Sequence, residues 1–352
     1  MGIRTFAHSI RHMLPLLLPL TMLLLVFWTR YLGAEDPRNQ QLRIGTICEE
    51  DERGPDTNLP VARVYYSERA EAICTAWLAP NGFFVTAGHC TTGYYRFDTL
   101  QFDVPNSSCD GRISLPKADE TNRTLQSSIV SRVDLKTQQD WAIFRLQPNA
   151  GSGLPSLFHN GQFFRISNLQ ISKENPVRVL NSGYGVDLRA FDGCKSRNRT
   201  LQTGASTAYH SPGYLIHYAD THMGNSGSPI YYKKGNGIFA LATHRGGGCP
   251  NIATATLHPD FLRALNDASG RPTVYVDPLG PDRGEPTGEI QAPFQDLQNA
   301  LAKAPKNGEI NIVPGDYSLR DLKIRGPVKI RAPFGKIIVR VRSHQNEGEE
   351  ER

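Results

Sequence analysis

Three short segments carry residue types that together could break an acyl bond. "GNSGSP" (224–229) sets Ser226 among small residues in a turn-forming string, "FFVTAGHC" (83–90) closes a hydrophobic run on His89, and "QQDWAIFRL" (138–146) puts Asp140 immediately before an apolar strand pattern. A serine hydroxyl becomes a nucleophile when a base lies within hydrogen-bond reach and a third group orients that base. Each segment alone has an ordinary reading: small-residue strings are common turns, lone histidines are usually structural, and Asp at a strand edge is usually a turn former. Their conjunction is what counts. His, Asp and Ser occur in that order, 51 and 86 residues apart, within one β-rich stretch.

The elements that must hold these groups are strands. From Val61 to about Thr256 short apolar runs alternate with Gly/Asn/Asp/Pro turns: "VARVYY" (61–66), "WAIFRL" (141–146), "VRVLNSGYG" (177–185), "YLIHYA" (214–219) and "GIFALATH" (237–244). Many short, regularly spaced strands predict an antiparallel barrel or sandwich. One helical pattern, "HPDFLRALNDASG" (258–270), closes the region, with Pro and Asp in its first turn and Gly past its end. The chain of 352 residues thus divides into a segment 1–34, an N-terminal arm 35–60, a β-rich domain 61–270, a smaller β-rich appendage 271–343 and a charged tail 344–352.

Composition bounds the function classes. Hydrophobic residues at 39% and charged residues at 21% describe a globular chain, and a net charge of +5 gives no ground for a nucleic-acid partner. Arg4 and Arg11 precede an apolar run from Met13 to Trp28, short for a membrane span, and "YLGA" ends on a small residue at Ala34. This pattern predicts a secretory signal peptide, with an uncleaved anchor at 13–28 as the rival, and in either case an extracytoplasmic body. A membrane contact is expected only for the anchor. Six cysteines without a CxxC pair or zinc-type spacing predict disulfides, with no metal and no cofactor. Sequons stand at Asn106, Asn122 and Asn198, for use in a eukaryotic secretory pathway.

As a set, "IGTICEEDERGPDT" (44–57), "CTAWLAPNGFFVTAGHC" (74–90), "DTHMGNSGSPI" (220–230) and "THRGGGCPN" (243–251) resemble the chymotrypsin-fold serine endopeptidases, closest to the glutamyl endopeptidase branch, over about residues 44–268. The resemblance implies an all-β fold of two six-stranded antiparallel β-barrels with a C-terminal helix. It implies a cleft between the barrels, with His89 and Asp140 from the first and Ser226 from the second. It makes the backbone N–H groups of Gly224 and Ser226 the oxyanion hole, and it pairs Cys74 with Cys90 around the histidine loop. A bridge of that loop size contributes roughly 3 kcal/mol when unstrained. For the other cysteines, Cys194–Cys249 with Cys48–Cys109 is one of three possible pairings.

The branch receives an acidic side chain on a His and a Thr, which match His244 and Thr221. A hydroxyl and an imidazole can donate to a carboxylate without a buried permanent cation. Asp220, six residues before Ser226, competes: an Asp at that offset in trypsin-like enzymes selects Arg or Lys. Asn225 departs from trypsin-like chains, which carry Asp there to pair with a freed N-terminal amine. Cleavage at "RIG" (43–45) therefore need not switch the enzyme on. The expected function is a secreted endopeptidase acting on proteins or peptides after Glu or Asp. The alternatives are cleavage after Arg/Lys directed by Asp220, an esterase on the same site, or a catalytically weak fold used as a binding module.

Residues 273–335 resemble the opening of a pectin-lyase-like right-handed β-helix, in "TVYVDP", "PFQDLQNALAKAP", "GEINIVPGDY" and "LKIRGPVKIRAP". That leaves three readings: a remnant packed on the protease, a module contacting envelope or polysaccharide, or an edge that pairs with a partner. Arg320, Lys323, Arg325, Lys329, Arg331, Lys336, Arg340 and Arg342 make this end basic.

Overall fold

The computed structural model describes residues 47–342 apart from 49, 67–70, 93–96, 106–113, 115–120, 148–160, 188–199, 321–325 and 336. The segment 1–34, the "RIG" step, Cys109, Cys194, the sequons at Asn106 and Asn198, and the charged tail lie outside the described residues. Among the described residues no helix is long and apolar enough to cross a membrane.

After a short arm strand β1 (Gly54–Pro55), six strands make the first barrel: β2 (Val61–Tyr66), β3 (Glu71–Leu78), β4 (Phe84–Thr86), β5 (Thr99–Gln101), β6 (Thr121–Asp134) and β7 (Gln139–Leu146). They close in the order β2-β3-β4-β7-β6-β5. Strand β2 is buried along its whole length, which is why "VARVYY" lacks a polar alternation. Arg63 in its middle is buried and held by Gln101, Nε to Oε1 at 2.8 Å, and by the Ser114 carbonyl at 2.7 Å. The barrel interior is apolar, with Val64, Leu78, Phe84, Leu100 and Phe144 in one cluster. Asn122 is fully buried on β6, so a glycan does not fit there in the folded chain.

The second barrel follows β8 (Arg165–Ile166) and consists of β9 (Val177–Gly183), β10 (Gln202–Ser211), β11 (Tyr214–His217), β12 (Pro229–Lys234), β13 (Gly237–Gly247) and β14 (Asn251–Ala255). Pairing runs β9-β10-β11-β14-β13-β12 and returns to β9, so this sheet also closes on six strands. Strand β1 adds to β10, and β8 lies parallel against β13. Both barrels are thus six-stranded and antiparallel, as expected. Helix α1 (Pro259–Asp267) begins where His258 accepts from Asp260 N, and buries Phe261 and Leu265.

The appendage contains β15 (Thr273–Val276), helix α2 (Leu297–Lys303), β16 (Glu309–Ile312), β17 (Asp316–Arg320), β18 (Lys329–Arg331) and β19 (Ile338–Arg342). Its strands form two parallel ladders, β15-β16-β18 and β17-β19. It is not a separate body: Ile44–Arg352 forms one unit, with no division at residue 271. Tyr275 and Ile290 join Trp77, Phe164, Tyr231 and Phe261 in a shared core, and Phe334 stacks on Phe163 at 4.5 Å. Arg165 pairs with Asp277 through two contacts of 2.7 and 3.2 Å, while Asp282 accepts from Ser167 Oγ at 2.6 Å and Asn168 N at 3.0 Å. Part of the basic run is spent internally, since Lys329 and Arg331 lie 3.3 and 3.8 Å from the buried Glu309.

Candidate active site

His89 sits in a single 3₁₀ turn (Gly88–Thr91) that leaves β4, and Asp140 is the second residue of β7. Strands β4 and β7 are neighbours, so the turn hangs over the start of β7. Asp140 receives His89 twice, the backbone N–H on Oδ1 at 2.8 Å and ring Nδ1 on Oδ2 at 2.6 Å. Those bonds fix both the turn and the ring, and among the described residues leave Nε2 without a partner. The Asp140 side chain is 3% exposed, while that of His89 is 37% exposed. The second barrel also grips Asp140, whose N–H donates to Thr254 Oγ1 at 2.9 Å. Arg245 supplies a cation 3.9 Å from Asp140 Oδ2 and also bonds Gln138.

Ser226 lies in the turn entering β12, with its carbonyl accepting from Thr75 N at 2.8 Å and its Oγ donating to the Arg245 carbonyl at 3.5 Å. The peptides around it are aimed one by one. Met223 O accepts from Val186 N at 2.8 Å, Asn225 O accepts from Ser228 N at 2.8 Å, and Gly224 O accepts from Thr75 Oγ1 at 2.7 Å. In a trans peptide the N–H points opposite its carbonyl. The N–H groups of Gly224 and Ser226 are therefore turned away from those partners, and among the described residues neither has an acceptor. Gly224 has φ +106°, a conformation that a side chain would strain. Gly227 has φ +87°, and a Cβ there would lie 2.2 Å from Thr75 O and Thr86 Oγ1.

Thr75, on β3 of the first barrel, was not singled out in the sequence. Its hydroxyl donates to Gly224 O and accepts from Tyr184 N at 2.9 Å, so one side chain joins both barrels at the serine turn. No local signal marks it, because the partners are 149 and 109 residues away. Asn225, the departure from trypsin-like chains, is held by Asn181 (Nδ2 to Oδ1, 3.0 Å) and by His222 N on its own Oδ1 at 3.2 Å. A neutral amide network occupies the position where an ion pair was not expected.

The pocket residues divide. Strand β13 brings His244 beside the serine turn: Gly227 N donates to His244 O at 2.7 Å and His244 N to Ser228 O at 2.8 Å. Its ring Nδ1 meets His217 Nε2 at 3.1 Å. His217 lies on the inward-facing period of β11 together with buried Leu215, a signal in "YLIH" that the sequence reading passed over. Burial drives both imidazoles toward the neutral form, His217 down to about 3 and His244 well below its ordinary value, the latter helped by the charges of His217 and His89. Since among the described residues His217 Nδ1 has no partner, it carries the smaller penalty as a bare acceptor, so Nε2 holds the proton and donates to His244. His244 then keeps its own proton on Nε2, free to donate. Thr221, fully buried, donates to Asn251 Oδ1 at 3.2 Å.

Asp220 does not face a pocket cation. Its Oδ1 accepts from Cys48 N at 2.7 Å and its Oδ2 from Glu52 N at 2.9 Å, both on the N-terminal arm. The arm is tied there by a Cys48–Cys249 disulfide, which replaces the expected Cys194–Cys249 and Cys48–Cys109 pairs. The 201-residue separation explains the error: only the return of the arm to the β13–β14 loop brings those sulfurs together. Cys74–Cys90 forms as expected. These two sulfurs and the His89 ring lie within 4.8 Å of one another, but the sulfurs are spent on each other.

Two closed six-stranded antiparallel barrels, the first carrying the His89–Asp140 pair and the second the Ser226 turn, define the class of fold. A family model described as Trypsin matches residues 51–258, and the chain belongs to that family. One curated relative, "Secreted RxLR effector protein 73" of Plasmopara viticola, is 25% identical over 189 residues, 51% of this chain and 42% of the relative. The chain thus spans less than half of that protein. Among solved structures, a Glu endopeptidase in complex with MPD is similar with a TM-score of 0.48 and 16% identity, covering 64% of this chain and all of that one. A thermostable serine protease, AL20, from an extremophilic microorganism has a TM-score of 0.40 and 17% identity, over 56% and 90% of the two chains.

Proposed function

We propose that the protein is a secreted serine endopeptidase that cleaves peptide bonds after acidic residues. The observation that carries the reading is the His89–Asp140 pair, 2.6 Å apart, beside a serine turn with two unspent N–H groups. Ser226 Oγ attacks the peptide carbonyl while His89 Nε2 takes its proton. Asp140 fixes the ring and balances the imidazolium. The developing oxyanion is received by Gly224 N and Ser226 N, a donor of this kind being worth about 3–4 kcal/mol of barrier. His89 then passes the proton to the leaving amine, and water repeats the sequence on the acyl-enzyme.

Acidic specificity rests on His244 Nε2–H, backed by His217, as a neutral donor with no permanent counter-charge to displace. The trypsin-like alternative is disfavoured by the two arm N–H groups already bound to Asp220. Export is supported by the Cys48–Cys249 and Cys74–Cys90 bridges, which persist in oxidising compartments. The test is turnover of matched peptides with Glu, Asp, Arg or Phe before the scissile bond, with Ser226→Ala as control. The expected result is preference for Glu, abolished in the folded variant. Equal function of Ser226→Ala would replace the enzyme by a binding module.

A further inference from the structure

The appendage ends in an open layer. Its two ladders are parallel and in register, so each strand lays its side chains on those of the strand before it. Ile330 of β18 stands on Ile310, while Val339 and Val341 of β19 stand on Tyr317 and Leu319. The three residues beneath belong to the appendage core and are at most 3% exposed. Ile330, Val339 and Val341 are 46%, 37% and 57% exposed. The inward apolar stripe therefore continues into the last layer, where it meets solvent.

The backbone is open at the same place. Among the described residues β19 pairs only with β17. Ile338 N donates to Gly315 O at 3.4 Å, so Ile338 turns its peptide groups toward β17. Successive residues of a strand turn theirs to opposite edges, which points the N–H and C=O of Val339 and Val341 at the free side. Unpaired backbone groups beside exposed apolar side chains form a template for another strand.

Charge selects that strand. Lys329 and Arg331 are engaged by the buried Glu309. Arg340, between the two valines on the opposite face of β19, is 59% exposed and meets Asp316 of β17 at 3.5 Å, with its other side toward the free edge. From Arg320 to Arg342 the sequence carries eight basic residues and one acid, Asp321. A second copy pairing edge to edge would bring these cations together, and like charges across strands oppose pairing. The ten residues after Arg342, SHQNEGEEER, hold no apolar side chain to lay on the valines.

We infer that the free edge of β19 takes up, by strand addition, an extended segment of another protein in which apolar residues alternate with Glu or Asp. The apolar set covers Val339 and Val341, the acidic set lies beside Arg340, and the backbone pairs with the free groups of the two valines. The surface is built from appendage residues alone and does not depend on the proposed protease site.

The test is fluorescence anisotropy at neutral pH with a labelled eight-residue peptide alternating Val and Glu. The full chain carries Ser226→Ala so that the probe is not cut, and Val/Lys and Ser/Glu peptides serve as comparisons. The Val/Glu peptide should bind at least tenfold tighter than either. Methylating its alternate backbone nitrogens should abolish binding in one frame and spare it in the other. Val341→Pro removes one free N–H, keeps an apolar side chain and leaves the bonds to β17, and should weaken binding at least tenfold. Arg340→Gln should weaken it at least threefold. The inference is overturned by the absence of saturable binding up to about 1 mM, by equal binding of the Val/Lys peptide, or by indifference to methylation in both frames. Unchanged binding to a Val341→Pro protein that melts like its parent overturns it as well. A dimer in sedimentation that Val341→Pro dissociates would give the edge to a second copy instead. Should Val341→Pro fail to fold, the methylated peptides decide.

Discussion

Replacing Thr75 by Val should separate the fold from the aim of the oxyanion donors. Valine keeps the shape but removes the hydroxyl that donates to Gly224 O and accepts from Tyr184 N. Two buried backbone groups then lose their partner at about 1–3 kcal/mol each, so the expected loss of stability is about 2–6 kcal/mol. The serine turn would lose its side-chain link to the first barrel at Gly224, whose N–H is one of the two proposed oxyanion donors. If one donor is misaimed, about 3–4 kcal/mol of barrier returns and kcat falls about 10²- to 10³-fold with little change in KM. Thr75→Ser retains the hydroxyl and should retain most of both. The assay is steady-state turnover with active sites counted by acyl-enzyme burst, alongside urea unfolding. A stable Thr75→Val protein whose kcat stays within threefold of the parent would refute the positioning role.

Other outcomes follow from the same contacts. Gly227→Ala puts a Cβ against Thr75 O and Thr86 Oγ1 in a left-handed conformation, and should yield little folded protein on expression. Between pH 6.5 and about 3 the unfolded chain protonates His217 while the folded one does not, so stability falls as pH falls, by up to about 1.4 kcal/mol per pH unit. His217→Phe should flatten urea-derived stability against pH between 6 and 4 by about that slope; an unchanged slope would show that His217 is not buried neutral. Asp277→Ala leaves Arg165 uncompensated at the appendage contact and should cost about 3 kcal/mol of the stability of the whole unit, seen as one cooperative melt. A protease that melts independently of the appendage would contradict the shared core.

The sequence by itself determined the all-β architecture and singled out His89, Asp140 and Ser226 as candidates, because turn residues and apolar runs are local and because Ser226 sits in a recognisable small-residue string. It also paired Cys74 with Cys90, a short loop around the histidine turn. What it left open are relations across long separations. Thr75 reaching Gly224, His217 backing His244, and Cys48 meeting Cys249 depend on barrel closure, which no short window encodes. Asp220 is the clearest case: its type and offset suggested a pocket floor, but whether a carboxylate governs a pocket depends on what else its oxygens bind. The tertiary structure decided that by returning the arm to it. Likewise composition changes near residue 271, while only the tertiary structure shows the apolar core continuing from Trp77 and Phe261 into Tyr275 and Ile290.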